Sequence, residues 1–277
     1  MSALNGRITR SSLAAAAGAG FALTLALLAG CGGRDVREAV AAAPSAADST
    51  VADWPAYGRD PGGGRYAPLA QITRANVARL AVAWTYRTGE LAPEWATKNP
   101  TALETTPIVV DGTMYISTPL GRVIALDPQR GTERWRYDPR VDRNGNYGDF
   151  ANRGVSTWLD SARAPGAPCR RRIFVATIDS RLVALDAAAG APCADFGEAG
   201  IVDLKRGLLN APAYAGEYEM TSPPAVINGL IVVGSAIADN NRADAPSGVV
   251  RATRSTRRGA RGRGRRRIAP GPPTRGR

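Results

Sequence analysis

Between residues 107 and 250 apolar positions come in short β-branched runs, each closed by a turn signal, and no helix-spaced stretch of comparable strength competes with them. The runs repeat. Thr113–Gly131 lies over Arg172–Gly190 at a shift of 59 residues without a gap. Met114-Tyr115-Ile116 falls on Ile173-Phe174-Val175, Arg122-Val123-Ile124-Ala125-Leu126-Asp127 on Arg181-Leu182-Val183-Ala184-Leu185-Asp186, and Gly131 on Gly190. A second shift, of 117 residues, sets Pro107-Ile108-Val109-Val110-Asp111-Gly112 over Pro224-Ala225-Val226-Ile227-Asn228-Gly229. Each unit reads as a strand, an Asp-Gly or Asn-Gly turn, a second strand and then a third, because those dipeptides supply the positive φ values of a tight hairpin. Short strands at a fixed period predict an all-β fold, and a period of this length predicts propeller blades. Residues 53–252 hold about three to four such blades, a partial β-propeller.

The connecting element between strands has its own chemistry. Ala125-Leu126-Asp127-Pro128-Gln129-Arg130-Gly131-Thr132-Glu133-Arg134-Trp135 places Ala, Asp, Gly and Trp at fixed offsets. The aspartate can accept hydrogen bonds from the turn backbone, the glycine permits positive φ, and the tryptophan offers a large apolar face to the neighbouring blade. This is architecture rather than catalysis.

The ends of the chain differ from its body. Arg7 and Arg10 precede an uncharged apolar stretch that closes on Leu28-Ala29-Gly30-Cys31, the layout of a secretory signal peptide over residues 1–31. The tetrapeptide resembles a bacterial lipobox, which implies lipidation of Cys31. A membrane-spanning anchor is the competing reading, yet the Ala/Gly-rich stretch barely reaches the ~20 residues that a span requires. Residues 32–52 read as a flexible tether. In an oxidising compartment the remaining pair, Cys169 and Cys193, reads as a disulfide, the alternative being two free buried thiols.

Composition excludes several functions. There is no histidine, which removes Ser-His-Asp and Cys-His catalysis and any histidine-ligated metal. The net charge of +12 is misleading, since eleven arginines and no acid lie in Arg251–Arg277; without that stretch acids and bases nearly balance. A nucleic-acid grip could rest only on this tail. The tail begins inside a strand, has no aromatic residue for base stacking and follows an exported body. Gly248-Val249-Val250-Arg251-Ala252 reproduces the Gly121–Ala125 segment, but Leu-Asp does not follow. Residues 253–277 therefore read as a disordered Arg/Gly/Pro tail produced by a shifted reading frame, and no nucleic-acid partner is expected.

The spacing Ala-x-Asp-x-x-x-Gly-x-x-x-Trp resembles the tryptophan-docking motif of the quinoprotein dehydrogenases, eight-bladed propellers that hold pyrroloquinoline quinone (PQQ). The leading segment Trp54-Pro55-Ala56-Tyr57-Gly58-Arg59-Asp60 and the strand start Leu103-Glu104-Thr105-Thr106-Pro107 are similar to the glucose-dehydrogenase-like members of that family. The resemblance implies that Glu104 hydrogen-bonds the quinone rim and that Arg153, in Asn152-Arg153-Gly154, lies by the reactive carbonyl, where a cation stabilises developing negative charge. It also implies that Thr177 contacts a PQQ carboxylate and that Asp239 serves as an oxygen ligand to calcium. Alcohol-dehydrogenase relatives carry two adjacent cysteines where Tyr147 and Gly148 stand here. The implied reaction is oxidation of an aldose or alcohol, with electrons passed to a membrane quinone or a cytochrome, by a periplasmic lipoprotein of a Gram-negative bacterium. The family's base aspartate falls beyond residue 252, so this chain is expected to be an inactive fragment. The rival from another class is the scaffold propeller lipoprotein of outer-membrane-protein assembly, which has similar repeats and no cofactor.

Overall fold

A computed structural model describes residues 53–256 apart from Pro61 and Asp149. The expected signal segment with Cys31, the tether up to residue 52 and the tail from residue 257 lie outside the described residues. Within them, helix is limited to three single turns of 3-10 helix, at Val77–Arg79, Pro93–Trp95 and Ala215–Glu217. No helix among the described residues is long and apolar enough to cross a membrane.

The blade strands form successive antiparallel sheets, while the short segments Thr101–Ala102 and Phe150–Ala151 pair in parallel. The first blade comprises β1 (Ile108–Val110), β2 (Thr113–Ser117), β3 (Val123–Leu126) and β4 (Glu133–Tyr137), paired in chain order. The second comprises β5 (Ser156–Leu159), β6 (Arg171–Ala176), β7 (Arg181–Asp186) and β8 (Ile201–Asp203), again in chain order. The third has three strands, β9 (Ala225–Ile227), β10 (Leu230–Val233) and β11 (Arg251–Arg254). The all-β partial propeller read from the sequence is what the described residues build, as two four-stranded blades and three strands of a third.

Local chemistry fixes each turn. Asp111-Gly112 and Asn228-Gly229, which join first strand to second in the first and third blades, all have positive φ, at 50°, 66°, 49° and 74°. After β3, Asp127 accepts the Gln129 and Arg130 amides at 2.9 and 3.0 Å; after β7, Asp186 accepts those of Ala188 and Ala189 at 2.9 and 2.8 Å. The two turns are copies.

Side chains alternate across each strand, so both faces of a blade are used. Tyr115, Val123 and Ala125 of the first blade meet Ile173, Val175, Val183 and Leu185 of the second in one buried cluster. Phe174, Ala176, Leu182 and Ala184, from the opposite face of the second blade, meet Ile231 and Val233 of the third. The docking tryptophan completes the joint. Trp135 lies on Gly190, where a Cβ would stand 2.5 Å from the indole, and its Nε1 donates to the Ala187 carbonyl at 3.0 Å. Trp84 repeats this arrangement on Gly131, with its Nε1 donating to the Pro128 carbonyl at 3.1 Å. In the second blade the tryptophan position holds Ala194, next to the bridge that joins Cys169 to Cys193 with Cα atoms 5.8 Å apart.

The strand that carries Ala252 runs past the change of side-chain pattern. β11 continues to Arg254, pairing Thr253 with Ile231 and Arg254 with Leu230. Backbone pairing does not depend on side-chain identity, so the ladder runs on where the side-chain pattern has changed.

Candidate functional site

The inner strand of each blade starts at one rim, and the second strand ends there, because the two are antiparallel. The segments before β1, β5 and β9 are therefore neighbours on one face. They are also bonded to one another. Thr106 donates its amide to the Arg153 carbonyl at 3.1 Å, and Arg153 donates its amide to the Thr221 carbonyl at 2.8 Å. Three segments far apart in sequence, Glu104-Thr105-Thr106-Pro107, Asn152-Arg153-Gly154 and Thr221-Ser222-Pro223-Pro224, thus form one strip at the rim.

Side chains converge on the same strip. The Arg153 guanidinium meets Glu104 Oε2 at 2.9 Å through Nη2 and donates from Nη1 to Thr221 Oγ1 at 2.7 Å. Both charged side chains are nearly half exposed, at 47% and 42%, so the pair faces open space rather than a closed core. Behind it, Asn152 donates from its amide to the Ala176 carbonyl at 2.8 Å and accepts the Gly154 amide at 3.2 Å. Gly154, with φ +142°, brings its backbone against Thr106, whose carbonyl oxygen would lie 3.2 Å from an added Cβ. Thr105 Oγ1 accepts the Ser117 amide at 3.2 Å, which fixes the Glu104 segment to the end of β2. Glu104 and Arg153, expected at one site, are in contact.

Two other expected residues are placed differently. Thr177 is fully buried, and its hydroxyl is committed to its own turn, donating to Asp179 and accepting the Arg181 amide at 3.2 Å. Thr118 likewise accepts the Arg122 amide in the first blade, at 3.2 Å, so Thr177 stands at a repeated turn position. Asp239 sits in an exposed turn after the Ala236–Ile237 strand. Among the described residues no group of three His, Cys, Asp or Glu could hold a metal ion, and one carboxylate falls short of the six to eight oxygens that calcium takes.

Sequence reasoning missed Thr221 and Ser235. Ser235 stands 117 residues after Thr118, at the same point of the repeat. In the third blade the loop that follows is longer, and the Ser235 hydroxyl is buried without a hydrogen-bonding partner among the described residues. A shielded, unspent donor at the rim is what a bound polar group would satisfy. Tyr147 and Gly148 are accounted for by packing and anchoring. The Tyr147 ring lies edge-on to Phe150 at 5.2 Å, burial pushes its phenol up to about 12, and the Gly148 amide donates to Glu219 at 2.8 Å.

Comparison with known proteins agrees with this architecture. The β-propeller domain model of the PQQ-dependent glucose/ethanol/alcohol dehydrogenases matches residues 54–256. Quinoprotein glucose dehydrogenase A of Acinetobacter calcoaceticus is 39% identical over 225 residues, which is 77% of this chain and 27% of that protein. The glycerol dehydrogenase large subunit of Gluconobacter thailandicus is 39% identical over 218 residues, 78% of this chain and 29% of its own length. The crystal structure of quinohemoprotein alcohol dehydrogenase from Comamonas testosteroni superposes with a TM-score of 0.55 at 32% identity, covering 73% of this chain and 25% of that one. The chain spans less than a third of the length of these relatives.

Proposed function

We infer the function from one premise: the chain belongs to the PQQ-dependent glucose/ethanol/alcohol dehydrogenase β-propeller family. On that basis the rim strip is one side of a quinone-binding site in an oxidoreductase acting on a sugar or alcohol. The observation that carries the reading is the Glu104–Arg153 pair, held by Thr221 and left open to solvent at the hub face. PQQ, when bound, supplies two-electron oxidation of the carbon bearing the hydroxyl.

The chain's own residues supply binding and orientation. Arg153 offers a planar cation to the reactive carbonyl of the quinone, where negative charge develops, and its two bonds, to Glu104 and Thr221, fix the plane of that fork. Glu104 keeps the guanidinium from swinging away before a ligand arrives and adds an acceptor at the rim. Ser235 contributes a hydroxyl donor from the third blade. Calcium would need oxygen ligands beyond Asp239, so no step is assigned to it. Electron delivery to a membrane quinone or a cytochrome, and anchoring through a lipid on Cys31, complete the reading. A quinone at a propeller hub needs contacts from all round the ring, and three blades supply one arc. The 277-residue chain is therefore expected to bind PQQ weakly and not to turn over.

The test is ligand-induced stabilisation. Stepwise addition of PQQ should raise the unfolding temperature of the purified chain, and Arg153→Ala should abolish most of that rise, since each tenfold loss of affinity removes ~1.4 kcal/mol of stabilisation at saturating ligand. Glu104→Gln should give a smaller loss. An equal PQQ response in wild type and Arg153→Ala would refute the site.

A further inference from the structure

The first two blades close the turn after their second strand differently. In the second blade, Asp179 stands in the turn joining β6 to β7 and pairs with Arg181 at 2.5 Å. At the same point of the repeat the first blade has Leu120 in place of that aspartate and keeps the arginine, as Arg122. Leucine cannot accept a hydrogen bond, and Arg122, buried to 2%, takes other partners. It meets Glu90 at 3.1 Å, donates to the Thr88 carbonyl at 3.1 Å and lies 4.5 Å from the centre of a Trp95 ring. Leu120, Val141 and that held indole form the apolar floor of a hollow of about 350 Å³. Its sides carry charge of both signs, Glu94 and Asp138 against Arg140 and Arg143. The hollow lies on the same face as the rim strip, because Leu120 follows β2, and β4, which leads into residues 138–143, runs antiparallel to β3. It shares no residue with that strip.

We propose that this hollow binds the ring of a neutral sugar, at a second site apart from the quinone. Arg140 is the residue that points to a ligand. It stands at φ +54°, a left-handed conformation costly to any residue but glycine, and is held there by its amide donating to Asp138 Oδ1 at 2.7 Å. Yet its guanidinium meets no partner among the described residues, and neither does the Glu94 carboxylate. Strain that serves no side-chain contact within the protein is accounted for by one with a ligand. A pyranose ring matches what the walls offer. Its C–H face suits a floor of leucine, valine and indole, while its hydroxyls both donate and accept and so suit a guanidinium and a carboxylate together. The wall charges balance, which leaves no net field to draw an anion or a cation. The volume of about 350 Å³ falls in the range that small ligands use, ~300–1,000 Å³. Arg143 ties floor to wall. Its Nη1 donates to the Glu94 carbonyl, its guanidinium lies 5.6 Å from the centre of a Trp95 ring, and its carbonyl accepts the Lys98 amide at 3.0 Å.

Titration of the full 277-residue chain with D-glucose, in the absence of PQQ, tests this site independently of the quinone reading. Saturation-transfer NMR should show magnetisation passing from the protein to the ring protons of the sugar. Arg140→Gly is the deciding variant, because glycine relieves the left-handed backbone while removing the guanidinium. It should unfold at the wild-type temperature or above it, and should bind glucose roughly tenfold more weakly, as loss of a charge-assisted hydrogen bond implies. Glu94→Gln, which keeps an acceptor, should lose less. Sodium gluconate, an anion of similar size, should bind no more tightly than glucose. No transfer to glucose in the wild type, equal affinity in Arg140→Gly, or tighter binding of gluconate overturns the proposal.

Discussion

Gly190→Ala tests the joint between blades most directly. Gly190 has φ +71°, and a Cβ built there would stand 2.5 Å from Cε3, 2.7 Å from Cδ2 and 3.1 Å from Cζ3 of Trp135. Two costs add. A non-glycine residue in the left-handed region costs roughly 1 kcal/mol, and forcing a methyl group against a fixed ring costs about 2 kcal/mol more. The indole cannot slide away freely, because Nε1 is bonded to the Ala187 carbonyl and the ring lies against Tyr115 at 5.8 Å. Gly166 separates the two terms. Its φ is +77°, yet nothing lies within 4 Å of an added Cβ, so Gly166→Ala should pay only the backbone cost of roughly 1 kcal/mol. At two to four degrees per kcal/mol for a chain of this size, Gly190→Ala should unfold about 4–8 °C below Gly166→Ala. The assay is thermal and urea unfolding followed by far-ultraviolet circular dichroism, which avoids using the perturbed tryptophan as the probe. Trp135→Ala in the Gly190→Ala background should cost less than the sum of the two changes. Equal destabilisation by the two alanines would refute the docking argument.

Two further changes probe the second blade. Replacing Cys169 and Cys193 together by serine opens a loop whose ends are 24 residues apart, and urea unfolding should show a loss of roughly 3.5 kcal/mol if loop closure sets the gain. Asp195 reports on pH. It is bonded to fully buried Arg172 at 2.6 Å and to Arg163 at 2.5 Å; burial opposes its ionisation, but those guanidinium contacts prevail and hold its carboxyl below the usual range. A carboxyl lowered on folding contributes stability that is present above the unfolded value of about 4 and is lost as the pH falls through the folded value. Glu90 works in the opposite sense, because burial raises its pKa and its contribution grows as the pH falls. Asp195→Asn should therefore cost roughly 2 kcal/mol at pH 7 and much less at pH 3, read by urea midpoints at both.

The repeat was legible because a propeller strand packed on both faces leaves a dense apolar record, and its turns need residues of narrow choice. Asp111-Gly112 and Asn228-Gly229 declared their hairpins for that reason. Glu104 and Arg153 were legible through the segments that flank them, and they meet. Thr177 shows where sequence stops short, because a hydroxyl at a strand end reads alike whether it meets a ligand or closes a turn. Thr118, at the equivalent position of the repeat, accepts a turn amide in the same way. Trp84 went unread because the sheet to which it would belong is not formed among the described residues, although Trp84-Thr85-Tyr86 echoes Trp135-Arg136-Tyr137. Thr221 was hidden by distance, because it reaches Arg153 only when the third blade is set beside the second.

The third blade separates what the backbone demands from what the side chains encode. β10 and β11 keep the register of β2 and β3 through Ala252 and beyond it, so the ladder survives the change of side-chain pattern. The turn does not. In the first two blades an aspartate directly follows leucine at the strand end and caps the next turn through two backbone amides. Thr253 and Arg254 stand in those places, and a guanidinium donates hydrogen bonds but cannot accept them. Among the described residues the capping that follows β3 and β7 is therefore not repeated after β11. A blade thus needs its ladder to form and its turn chemistry to finish.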